Sequence, residues 1–178
     1  DGDYATHILG RGNILNITAA LAVAEHLGVS SSACHRAVKQ IEQVEHRLSM
    51  RRSGGITILD DAYNSNPEGA RMALEVLSGF ACEGRHYLVT PGFVEMGAKQ
   101  YENNKRFGVD IARSNVDRVY VVNQVNRDAI VEGLSEGGYP SERVSVVASF
   151  KEAMAELQPQ LKAGDVVLYE NDLPDSFK

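Results

Sequence analysis

Ile56-Thr57-Ile58-Leu59-Asp60-Asp61-Ala62-Tyr63-Asn64-Ser65-Asn66-Pro67-Glu68 joins a β-rich run to a helix start. Its first four residues are β-branched or apolar, which predicts a strand. Its end offers Asn66 as an N-cap and Pro67 at the first helical position, so a helix opens there. A strand that feeds a helix through a polar loop is the beginning of a β–α unit. Downstream the pattern repeats. A helix carrying Met72, Leu74, Val76 and Leu77 follows Pro67, and strands are expected over 86–90, 118–122, 144–147 and 166–169. Helices are expected over 98–114, 127–136 and 150–161, and the turn Ala163-Gly164-Asp165 precedes the last strand. Strands alternating with helices at this spacing imply right-handed crossovers and a largely parallel sheet covered on both faces.

Upstream, the turn Gly54-Gly55 and a strand over 47–52 complete an α/β domain of Rossmann-like type spanning 47–178. Residues 1–46 read differently. A helix over 13–27 carries Ile14, Ile17, Leu21 and Ala24 on one stripe and stops at Gly28. Val29-Ser30-Ser31-Ser32 then supplies a cap for a second helix running to about Val44, with Ala33, Ala37, Val38 and Ile41 on its inner face. Two helices without a strand make a poor domain alone, so this part is expected to be the tail of another one.

The composition limits what such a fold does. The 178 residues carry 18 Lys and Arg against 24 Asp and Glu, a net charge of −6. That argues against a duplex-binding surface, so no nucleic-acid partner is expected. No apolar run is long enough to span a membrane and no secretory signal opens the chain. The missing initiator Met fits a chain cut from a longer one. Cys34 and Cys82 are far apart, without C-x-x-C spacing, and read as reduced thiols. The five His residues form no zinc pattern, so no structural metal is expected.

Ligands in open α/β sheets bind beyond the carboxyl ends of the strands. At the end of the 56–59 strand, alternation sends Asp60 and Asp61 to opposite sides, one toward a crevice and one supporting the turn. The helix opening at Pro67 adds free N–H groups suited to an anion, although good turn formers alone would explain the same loop. Gly10-Arg11-Gly12-Asn13-Ile14-Leu15 imitates a dinucleotide fingerprint, but Leu15 holds the third glycine position and no strand precedes it. Asn13 and Asn16 are neighbours on one turn, and an Asn amide matches the donor–acceptor edge of adenine. Asn13 could equally cap the helix. Arg47 could fork onto phosphate oxygens or pair with a surface carboxylate. Glu95 and Gly97 leave another strand end. Glu170-Asn171-Asp172-Leu173-Pro174-Asp175 is an acidic exit that could also be a solvated tail. No P-loop and no Ser/His/Asp order is present.

In this order the pieces resemble the C-terminal part of a Mur ligase, the ATP-dependent family that builds the peptide stem of peptidoglycan precursors. Gly10 to Asn16 followed by Ala19-Ala20 resembles the helix that closes the family's central ATP-binding domain. His46-Arg47-Leu48 resembles the junction into its C-terminal domain. Asp60 to Pro67 resembles the run typical of the D-alanyl-D-alanine-adding branch. The resemblance implies Asn13 and Asn16 at the adenine, Arg47 at the ATP phosphates and Asp61 at the ribose hydroxyls. Tyr63, Asn64 and Asn66 would shape the place where the incoming dipeptide docks. ATP and Mg2+ are the implied cofactors, held mainly by the central domain. UDP-N-acetylmuramoyl-peptide, D-Ala-D-Ala and the central domain itself are the implied partners, in a bacterial cytoplasm. Without a P-loop the chain alone would be inactive, and no catalytic residue is assigned within it. Two positions depart from the family pattern: Gly12 stands where a His is usual, and Glu170-Asn171-Asp172 where a Lys-Gly pair is common. The alternatives are another amino-acid ligase of the superfamily, such as a folylpolyglutamate or cyanophycin type, or a non-catalytic α/β binding module. The two leading helices are expected to be held less firmly than the α/β body.

Overall fold

The computed structural model describes residues 2–63 and 65–172. Two helices, α1 (Arg11–His26) and α2 (Ser31–Gln40), lead into β1 (Ser49–Ser53) and β2 (Ile56–Asp61). Then follow α3 (Pro67–Gly79), β3 (His86–Thr90), α4 (Gln100–Ala112), β4 (Arg118–Val122) and α5 (Arg127–Glu136). β5 (Val144–Val147), α6 (Phe150–Leu157) and β6 (Val166–Glu170) complete the chain. The six strands form one sheet in the order β1-β2-β6-β3-β4-β5. Only the β1–β2 pair is antiparallel, with Ser49 opposite Asp60, and the other four pairings are parallel. The α/β class and the largely parallel sheet follow the sequence reading.

Alternation decides the layers. One face of the sheet buries Leu59, Leu88, Val119 and Leu168 against Leu74 and Leu77 of α3, Phe107 and Ile111 of α4, and Ile130 and Leu134 of α5. The other buries Tyr87, Val89, Tyr120 and Val167 under Ala153 and Leu157 of α6. The crossover from β5 to β6 therefore runs back on the opposite face, which sets β6 between β2 and β3.

Several boundaries move, each for a local reason. β1 starts at Ser49 because His46 (φ 60) and Leu48 (φ 51) are left-handed and interrupt extended backbone. α2 ends at Gln40, where Ile41 turns extended (ψ 121). Gly97 (φ 55) opens a short 3-10 turn before α4. Pro159, with no N–H to donate, converts the end of the expected sixth helix into another 3-10 turn, Gln158–Gln160. Asn66 and Pro67 open α3 as expected, the Asn66 side chain accepting from Glu68 N at 3.1 Å and Gly69 N at 3.0 Å.

The leading helices differ most from expectation. α1 begins at Arg11 with Gly10 as N-cap, so Asn13 is not the cap; its Nδ2 donates to Leu9 O at 2.8 Å from inside the first turn. α1 has no buried residue, and Ile14 is 53% exposed. In α2, capped by Ser30, only Cys34 and Val38 are buried, while Ala37 and Ile41 of its expected inner face are exposed. Their apolar sides face a shared groove of about 460 Å3 lined by Ile17, Leu21, Ala33 and Val38. Cys34 and Cys82 are free thiols.

Candidate functional site

The carboxyl ends of β2, β6 and β3 lie side by side, at the place where the crossover direction reverses. That is where an open α/β sheet offers a ligand crevice. Glu170 and Asn171 are not a solvated tail: they are 0% and 8% exposed. Thr90 Oγ1 donates to Glu170 Oε2 at 2.7 Å and accepts from Gly92 N at 3.0 Å. Asn171 accepts from Ser65 N at 3.1 Å, donates its amide to Gly92 O, and sends its own N–H to Asp61 O. The two residues thus tie the loops leaving β2 and β3 to the end of β6. Burial pushes the Glu170 carboxyl up to about 7, against the two hydroxyls of Ser65 and Thr90, with Asp61 adding to the rise.

Beside this cluster the chain passes from α2 into β1, and three consecutive residues are fastened to the exit of β2. His46 Nδ1 lies 3.0 Å from the Asp60 carboxylate. Arg47 stacks its guanidinium over the Tyr63 ring, 4.2 Å from the centroid. Leu48 is buried, and its backbone N–H reaches the Asp61 carboxylate. Asp60 also accepts from Ala62 N at 3.3 Å, so it supports the turn as one of the pair was expected to do. Asp61 is half-buried, and its carboxyl is pushed up by desolvation, with the Leu48 N–H and the Arg47 charge opposing. His46 is pushed up for another reason: the hydrogen bond and charge of Asp60 favour the imidazolium.

On the helical side of the junction, Asn13, Asn16 and Arg47 line one cleft of about 190 Å3, with Leu9, Val44 and Leu48 among its walls. The structure therefore brings Arg47 together with the Asn13–Asn16 pair of α1, and Asp61 adjoins them through Arg47 and Leu48. Pockets that enclose a whole small ligand start at about 300 Å3, so this cleft is too small to enclose one by itself. Gly12 lies against α3: a Cβ there would sit 3.0 Å from the Met72 thioether. The missing His thus coincides with a close approach of two helices. Of the three loop residues, Tyr63 is 59% exposed beside Arg47, while Asn66 spends its side-chain oxygen on the α3 cap. Asn64 lies outside the described residues, as do 173–178. Glu95 is exposed and left-handed (φ 62), away from this cluster's hydrogen bonds.

A second crevice, of about 280 Å3, opens at the same edge on the α6 side. Val89, Pro91, Val122 and Phe150 make its apolar wall, and Asn123, Lys151 and Asp172 bring polar groups to it. Apolar walls with a few convergent polar groups are the usual make-up of a small-molecule site. Sequence reading passed over Asn123 and Lys151. The one available signal was Asn directly after an apolar strand, and Asn123 does take the left-handed conformation (φ 71) that Asn tolerates at such exits.

The sequence pattern of the Mur ligase, glutamate ligase domain matches residues 46–169. A UDP-N-acetylmuramoyl-tripeptide–D-alanyl-D-alanine ligase of Bacillus subtilis is 24% identical over 92% of this chain and 35% of its own length. The enzyme of the same name from Mycobacterium bovis is 30% identical over 90% of this chain and 35% of its own. A crystal structure of the MurF ligase of Thermotoga maritima with ADP superposes with a TM-score of 0.77 at 25% identity, over 92% of this chain and 35% of that one. A MurF structure from Acinetobacter baumannii gives 0.81 at 25% identity, over 95% and 36%. The chain thus spans about a third of the length of the relatives it matches.

Proposed function

The chain belongs to the Mur ligase family, and from that premise we propose that it is the C-terminal part of a ligase adding a dipeptide, D-Ala-D-Ala, to a UDP-N-acetylmuramoyl-tripeptide. Residues 1–46 are then the end of the central ATP-binding domain, and 47–178 the domain that closes over it. The observation that carries the reading is the shared cleft of Asn13, Asn16 and Arg47, with Asp61 beside it. Amides suit an adenine edge, a guanidinium suits phosphate oxygens, and a carboxylate suits ribose hydroxyls.

The reaction couples ATP to amide formation. The terminal carboxylate of the nucleotide-linked peptide takes the γ-phosphoryl group, and the dipeptide amine attacks the acyl phosphate. Phosphate leaves from the tetrahedral intermediate and the amine loses a proton. Such steps ask for fixed positive charge and N–H donors where negative charge develops, and for exclusion of water from the acyl phosphate. Arg47 and the junction supply the first from this chain. The second crevice, with Lys151 for a carboxylate and Asp172 for an ammonium, is our candidate space for the dipeptide. Among the described residues no group of three or more His, Cys, Asp or Glu gathers to hold a metal. No helix among the described residues is long and apolar enough to cross a membrane.

The test uses the full-length protein and this chain side by side. Phosphate release from ATP that depends on both the UDP-linked tripeptide and D-Ala-D-Ala is expected from the former alone. Activity from the 178-residue chain by itself would overturn the reading. A panel of single amino acids against the dipeptide decides between this ligase and another amino-acid adder.

A further inference from the structure

We infer that Tyr63 is a positioning residue for Arg47: its ring is the shelf that holds the junction guanidinium at the nucleotide side of the site. The inference rests on the reading of Arg47 given above and assigns a role to a residue that the family resemblance placed at the dipeptide instead. Four observations lead to it.

First, the backbone of Arg47 is fixed. It sits between left-handed His46 (φ 60) and Leu48 (φ 51), its N–H donates to Val44 O at 3.2 Å, and Leu48 is buried next to it. Second, the side chain beyond that fixed backbone is long, and a guanidinium on a free stem would sample many positions. Its centre instead lies 4.2 Å from the Tyr63 centroid, over the ring face, where an aromatic quadrupole attracts a cation. Third, Tyr63 is 59% exposed, so the ring does not serve the core. Fourth, the neighbours of Tyr63 do the same kind of work: Asp60 holds His46 and Asp61 holds the Leu48 N–H. The end of β2 and the residues just after it thus address three consecutive junction residues, and Tyr63 takes the middle one. A guanidinium already placed loses less freedom when an anion arrives.

The experiment has two arms. In this chain, the Arg47 side-chain protons lie over an aromatic face, so NMR should find them shifted upfield. Tyr63→Phe should keep the shift and Tyr63→Ala should abolish it. In the full-length ligase, Tyr63→Ala should raise KM for ATP roughly two- to fivefold, the worth of an exposed cation–π contact. KM for D-Ala-D-Ala should stay put, and Tyr63→Phe should behave as wild type. Tyr63→Ala should add nothing on an Arg47→Ala background. No upfield shift in the wild-type chain overturns the inference, as does a rise in dipeptide KM alone or a Tyr63→Phe as impaired as Tyr63→Ala. A preserved shift with ATP KM indifferent to Arg47→Ala overturns the nucleotide role proposed for Arg47, and with it the functional half of this inference.

Discussion

α1 and β3 are both rich in apolar residues and have opposite fates. All five residues of β3 are buried, whereas α1 buries none. β3 lies between β6 and β4 with helices on both faces. α1 touches α2 and the edge of α3 and leaves Ile14 and Leu15 53% and 63% exposed. Burial is a property of the neighbours a segment finds, and only the α/β body supplies them within this chain. The groove between α1 and α2 is what an apolar face looks like when its partner lies elsewhere, which agrees with the proposed place of these helices in a central domain.

The largest effect that could break the comparison comes from truncating one side chain in each region. Phe93→Ala, at a fully buried position packed against Phe107, should cost about 3–5 kcal/mol. Leu15→Ala in α1 should change stability by no more than about 0.5 kcal/mol. Urea denaturation of the two variants reads both. A comparable loss at Leu15 would mean that α1 is covered in solution and that the contrast is wrong.

The same contrast explains what the sequence disclosed. Periodicity and turn chemistry placed every strand and helix of the body, because there local preference and burial agree. Asn66-Pro67 opens α3 by the mechanism its residue types predict. The misplaced ends belong to features that spacing does not encode: left-handed His46 and Leu48 before β1, and Gly97 before α4. In α1 and α2 the apolar stripe was legible, but what covers it was not. Of the candidate site, Asn13, Asn16, Arg47 and Asp61 were singled out through the motifs they stand in, and the fold sets the first three around one cleft. That Glu170 is buried was hidden, since an acidic run after the last strand looks the same whether it leaves the fold or plugs it. The Arg47–Tyr63 stack joins residues 16 positions apart across a strand pair, and only the fold brings them together.

Glu170 sharpens the comparison from inside the body. Its carboxyl is raised from 4.5 to about 7 by burial, so folding favours its neutral form. A group raised in the folded state contributes stability in full below its unfolded value, and loses it as pH climbs through the folded one. Stability should therefore fall between about pH 4.5 and pH 7, by an amount of order a few kcal/mol if Glu170 acts alone. Glu170→Gln keeps the shape and removes the proton. It should flatten that part of the profile and be more stable than wild type above pH 7. Denaturation midpoints of both proteins across this range measure it, and parallel curves would show that Glu170 stays ionised, hence solvated, and that the end of β6 is open.

His46 gives the smallest and most local test, because it titrates in the same direction for the opposite reason. Its ring is more than half exposed, and the Asp60 carboxylate 3.0 Å away favours the charged form that burial would oppose. Its midpoint, followed by the ring-proton NMR shift, should lie above the ordinary 6.5 and fall back toward it in Asp60→Asn. By the same sign rule, whatever His46 adds to the junction is complete below 6.5 and fades as pH rises past its own raised midpoint. Salt separates the two groups: attraction between exposed charges weakens as salt is added, so added NaCl should move His46 toward 6.5 and leave Glu170, whose shift comes first from burial, nearly where it was. If both respond alike to salt, the junction is as enclosed as the sheet end, and Arg47 is delivered by a rigid body. If only His46 responds, the junction is the open half of the contrast, and its fastening to the β2 exit is weak.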